Sequence, residues 1–167
     1  MNKLLGIVGY TWGFIAISYF ILHGLSCVFT YAIELNINDL NWYELTSLII
    51  IVILLAYSEG YKGFQKSFSP RTARRLNSIM LKPTIFRVIF SPLISMGFIE
   101  SSRKLKYISY GITIMIITFI ILIENLSNPW RAIIDFGVLI GLGWGLISFW
   151  LSCFKLLLNK ELSNLSY

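Results

Sequence analysis

The chain has 167 residues, 56% of them hydrophobic and only 13% charged, with a mean hydropathy of +0.73. A soluble domain covers its surface with about a quarter charged residues, so this composition excludes one and makes lipid the expected solvent. The formal charge of +6 raises nucleic acid as a partner, with Arg74 and Arg75 as bait. The basic residues cluster between apolar runs, however, as the positive-inside bias of membrane proteins has it, and no nucleic-acid partner is expected.

The first apolar run covers about residues 4–33, longer than the roughly 20 residues a bilayer core needs, so it is expected to tilt or project. Lys3 ahead of apolar residues has the outline of a signal peptide, but the run is too long and lacks a small-x-small cleavage site. It reads as a retained span. His23 is the only histidine, and Cys27 follows it one turn on. Two ligands do not make a metal site; no metal and no other cofactor is expected, and His23 reads as hydrogen-bonded between helices. Polar groups at membrane depth are costly and often functional, so Tyr10, Ser18, Tyr19 and His23 form a candidate polar seam. Gly6, Gly9, Gly13 and Ala16 offer a flat face to a neighbouring helix. An acidic connection with Glu34, Asp39 and Glu44 follows, closed by Trp42 and Tyr43, aromatics of the headgroup level.

A second span is expected over about residues 45–64. Glu59 should lie just inside its cytoplasmic end with Lys62 one turn on as partner, and it is the best candidate for a catalytic carboxylate. A large basic loop, residues 61–106, then holds ten of the fourteen lysines and arginines. Within it Ser69-Pro70 reads as the N-cap and first turn of a short helix, with Arg71, Arg74 and Arg75 on one face and Ala73, Leu76 and Met80 opposite. A basic amphipathic helix beside a membrane binds anionic headgroups, each basic residue adding about 1 kcal/mol. Lys62, Lys66, Arg71, Arg74 and Arg75 are therefore the candidate lipid- or phosphate-binding set. Residues 85–99 are apolar, but they include Arg87 and Pro92 and reach only about 22 Å as a helix, against a core of about 30 Å. They are expected to form an interfacial or re-entrant segment.

The third span is expected at residues 107–123 and the fourth at about 131–158. Asn128 and Pro129 suit the cap and first turn of the fourth, and Asp135 is placed to meet Arg131 at i, i+4. Gly137, Gly141 and Gly145 repeat every fourth residue and form a packing stripe, whose expected partner is the Gly9–Gly13 face of the first helix. Cys27 and Cys153 fall at opposite depths, out of disulfide reach. The expected fold is all-α: one integral membrane domain of four spans, both termini and the basic loop cytoplasmic, in a bacterial plasma (inner) membrane.

No P-loop, Rossmann fingerprint, HExxH or GxSxG pattern is present, and the two aspartates, Asp39 and Asp135, are far apart. The expected function is a non-catalytic accessory or assembly subunit of a larger membrane complex. Its partners would be anionic lipid together with another membrane protein or further copies of itself. The alternative is an enzyme or carrier acting on a lipid or isoprenoid phosphate, with Glu59 and Arg71, Arg74 and Arg75 at the cytoplasmic face. A small transporter and a toxin-immunity protein are further alternatives.

Overall fold

The computed structural model describes residues 2–165, and in it every apolar run is helical; no strand forms among the described residues. Helix α1 covers Asn2–Ala32, a 3-10 turn covers Ile37–Asp39, and α2 covers Trp42–Leu55. A π-helical segment, Ala56–Phe68, leads into α3, Ser69–Leu81. Two short helices follow, α4 (Ile85–Ile89) and α5 (Ser91–Met96), then α6 (Arg103–Glu124) and α7 (Trp130–Leu165). Four stretches are long and apolar enough to cross a membrane, as an integral membrane protein requires: Lys3–Ala32, Trp42–Leu81, Arg103–Glu124 and Trp130–Leu158.

The second of these differs from expectation. Ser69-Pro70 does not start a new helix, because Phe68 and Ser69 both hold right-handed helical angles and the chain runs through them without a break. Pro70 lacks the N–H that an α-helix interior needs. It follows directly on the π segment, where pairing has already shifted to i→i+5. The cap reading fails for a second reason: the Ser69 hydroxyl is fully buried and bonds nothing. Residues 61–106 are thus not an open loop. They are helical to Leu81, and α4 and α5 occupy much of the remainder.

Helix α7 is the hub. It runs antiparallel to α1, and the pair is held by Phe14 stacked on Phe149 (5.5 Å), by Tyr10 donating to the Cys153 carbonyl (3.5 Å), and by Trp150 donating to the Ser18 hydroxyl (3.0 Å). Tyr10, Ile17, Ile21, Ala73, Leu76, Leu146, Phe149 and Cys153 form the buried core. The two glycine stripes do not meet each other. A methyl group at Gly137 would lie 2.9 Å from Leu55, at Gly141 3.4 Å from Glu59, and at Gly145 2.5 Å from Phe64. The α7 stripe therefore seats α2 and the π segment. In α1, Gly6 abuts the Met80 carbonyl, Gly9 abuts Val88 and Ile79, and Gly13 abuts Ser91 and Leu76. The expected glycine contact between the first and last helices is corrected accordingly. A stripe without side chains is a groove, and a groove is filled by a neighbour's bulk rather than by another groove.

The α4–α5 pair packs on α1 and α3. Ser91 donates to the Gly9 carbonyl at 2.7 Å, and Trp12 donates to the Ile89 carbonyl at 3.3 Å. Helix α5 ends in a Schellman turn: Gly97 N–H bonds Ile94 O (3.1 Å), Phe98 N–H bonds Leu93 O (3.0 Å), and Gly97 takes the left-handed φ of +97° that glycine adopts without strain. At five and six residues, neither helix is long enough to cross a bilayer. Helix α6 stands apart from everything else. Only 11% of its apolar window is buried, against 50% for α7, and its ties to the bundle lie near its ends. Ser109 donates to the Met96 carbonyl (3.0 Å), Tyr110 packs on Phe98 (5.3 Å), and Ile123 is buried.

Candidate functional site

Glu59 projects from the π segment onto Gly141 of α7. Gly141 is eleven residues into a span that begins at Trp130, about 16 Å along the helix. The carboxylate therefore lies deeper in the bundle than a position just inside one end. Its expected partner is engaged elsewhere. Lys62 Nζ sits 5.0 Å above the Tyr57 ring and Lys66 Nζ 4.7 Å above the Tyr61 ring, while the two tyrosines stack at 5.8 Å. Both lysine pairs are five residues apart, as i→i+5 winding dictates, whereas an α-helix would have set Lys62 beside Glu59. Among the described residues the ion pairs are Arg87–Glu100 (2.7 Å) and Arg131–Asp135 (3.7 Å), and Glu59 belongs to neither.

The arginines of α3 have three different environments. Arg75 donates to the Ile94 carbonyl (2.5 Å) and the Glu100 carbonyl (3.4 Å), so its guanidinium closes the C-terminal end of α5, where a cation is favoured. Arg74 is exposed, and its Nε bonds only the Pro70 carbonyl of its own helix (3.1 Å). Arg71 is half-buried, and its Nε has no hydrogen-bond partner. The expected single basic face thus reduces to exposed Lys62, Lys66 and Arg74 with Arg71 beside them, while Arg75 is occupied by the fold. Nothing in the sequence marks that role of Arg75. A glycine that ends a short helix twenty-two residues downstream is the closest signal.

The candidate polar seam divides in two. Tyr10 and Ser18 turn inward to α7, but Tyr19 is 69% exposed and His23 is exposed with it, their rings stacked 6.2 Å apart. At 100° per residue, positions 10, 17, 18 and 21 share the inner face, and 19 and 23 fall outside it. His23 is therefore not held between helices of this bundle. Sequence reading also missed the Trp144–Gln65 hydrogen bond (2.8 Å), which links α7 to the π segment beside Glu59.

At the other end, an open cleft of about 320 Å³ is lined by Glu34, Asn36, Asp39, Asn41, Glu44 and Asn128, among others. Two of its three carboxylates are engaged locally: Asn36 donates to Asp39 (2.7 Å), and the Asn41 N–H donates to Glu44 (2.8 Å) as the N-terminal lock of α2. Nearby, Arg131 lies 3.6 Å from the Tyr31 ring centre and pairs with Asp135. Among the described residues, no three histidine, cysteine or acidic side chains gather as metal ligands. No protein-family model matches the chain, and neither a curated protein nor a solved structure shows detectable similarity to it.

Proposed function

We propose that this chain is a non-catalytic assembly subunit of a membrane complex and that it docks through α6. The observation that carries the reading is the isolation of that helix. From Ile114 to Leu122 every side chain is exposed, and a methyl group added at Gly111 would meet nothing within 4 Å. Lipid tails give helices no hydrophobic reason to associate, so a span joins its neighbours by close packing and hydrogen bonds. Helix α6 makes neither along its middle, while Gly111, Thr113 and Thr118 give it small residues of the kind that admit another helix. The engaged state of several charged groups supports an architectural role as well. Arg75, Arg87 and Glu100 brace α5, and Lys62 and Lys66 lie on tyrosines. A lipid-phosphate enzyme needs Glu59 beside the α3 arginines, and it has less support because Glu59 faces Gly141 while Arg75 faces Ile94.

In this reading both termini and the basic end face the cytoplasm of a bacterial cell, and α4–α5 forms an interfacial or re-entrant element there. Exposed Arg74, Arg103 and Lys104 suit anionic headgroups. The test is photocrosslinking in intact membranes from Ile114, Ile117 and Ile121, which share one face of α6. The expected result is one discrete adduct with another membrane protein, common to the three positions. Adducts with lipid alone would overturn the proposal.

A further inference from the structure

We infer that two copies of this chain associate through the outward face of α1, with Tyr19 of each hydrogen-bonded to His23 of the other. Ser18 meets Trp150, and a methyl group at Gly24 would lie 3.8 Å from Leu142. The turn from Tyr19 to His23 is therefore level with the middle of the α7 span, Trp130–Leu158. Both side chains are exposed at that level, and among the described residues nothing hydrogen-bonds the Tyr19 hydroxyl or the His23 ring. A polar group in hydrocarbon without a partner costs several kcal/mol, and polar side chains in spans face protein or water-filled space.

The rest of this face is already satisfied. Ser26 donates to the His23 carbonyl (2.8 Å) and Thr30 to the Ser26 carbonyl (3.3 Å). These are small side chains with no outstanding hydrogen bond, so they let a second helix come close. Ile15, Tyr19, Leu22, Ser26 and Phe29, all exposed, follow the alternating four-three spacing of a left-handed helix pair.

A second copy supplies what the two unmatched groups lack. Tyr19 offers a donor, and a neutral imidazole offers one acceptor nitrogen. Parallel helices related by a two-fold axis along the bilayer normal set each Tyr19 one turn from the partner copy's His23, and both bonds form together because the interface is isologous. The inference is independent of the part given to α6.

The experiment is energy transfer between donor- and acceptor-labelled full-length chains in vesicles, measured against the protein-to-lipid ratio. The wild type is expected to dimerise, and Tyr19→Phe combined with His23→Leu to move the midpoint at least about tenfold toward higher density. Ile117→Ala in α6 is expected to leave it in place. Folding of each variant is read from Cys153, which is buried at the α1–α7 contact and should stay protected from a membrane-permeant maleimide. If the double variant exposes Cys153, Tyr19→Phe alone decides: a several-fold shift supports the dimer and no shift refutes it. A chain monomeric at every ratio, or a folded double variant that pairs like the wild type, also refutes it. So does capture of Tyr19 and His23 by a different protein in its native membrane.

Discussion

Gly143 and Gly145 stand two positions apart on α7, yet a methyl group added to each meets opposite surroundings. At Gly143 there is open space within 4 Å; at Gly145 the Phe64 ring lies 2.5 Å away. Gly143→Ala should therefore raise thermal stability in detergent through helix propensity, by at most about 1 kcal/mol. Gly145→Ala should lower it by about 1–3 kcal/mol, because the ring and the π segment behind it must shift. Shifts of the same sign in the two variants would refute the packing described for α7. Neighbouring arginines diverge in the same way. Arg74→Lys should be silent, since its side chain is exposed and its one hydrogen bond is local. Arg75→Lys keeps the charge but replaces a planar fork with a point donor, and one ammonium cannot reproduce the two-carbonyl contact to Ile94 and Glu100. Protease sensitivity around residues 90–100 should rise in Arg75→Lys alone. The sequence presents these two arginines as equivalent; which one serves the fold depends on where α5 lies, and no local pattern encodes that.

Elements were legible where one rule governed the segment. Three of the four spans follow from apolar length, whereas residues 85–99, expected as one segment, form two short helices with Pro92 in the first turn of the second. The Trp42–Leu81 helix was misread because Ser69-Pro70-Arg71 carries a genuine start signal. Packing of Ser69, Thr72 and Leu76 into the core outweighed that signal and kept the helix continuous. The change of winding over Ala56–Phe68 has no sequence rule behind it, yet it decides the surroundings of Glu59. A side chain that packs on Gly141 without a cation should tolerate loss of its charge, so Glu59→Gln, of equal volume, should match or exceed wild-type stability and insert normally. Glu59→Lys should destabilise, since a longer cation must be placed against α7 deep in the bundle. A marked loss of stability in Glu59→Gln would reveal a cationic partner for the carboxylate and refute the packing role.

Across the whole molecule, charge separates by end. The connections at residues 33–41 and 125–129 lie together around the acidic cleft, with Arg131 beside them, and most of the other basic residues lie toward the opposite end of α1 and α7. This asymmetry orients a membrane protein with its lysines and arginines inward, and it predicts the accessible side of every connection. The segment that decides the matter is α4–α5. If it stays on one side, the chain has four spans and Lys104 is cytoplasmic; if it crosses, Lys104 lies outside and the count is five. In a Cys27→Ser background, where Cys153 is buried, single cysteines replace exposed Asn38, Ser127 and Lys104. A membrane-impermeant maleimide added to intact cells should label the first two, and it should label the third only after permeabilisation. Labelling of Lys104→Cys from outside would give α4–α5 a crossing that its eleven helical residues, five and six, are too short to make as a continuous helix. That result would overturn both the orientation and the membrane-surface role given to this end of the protein.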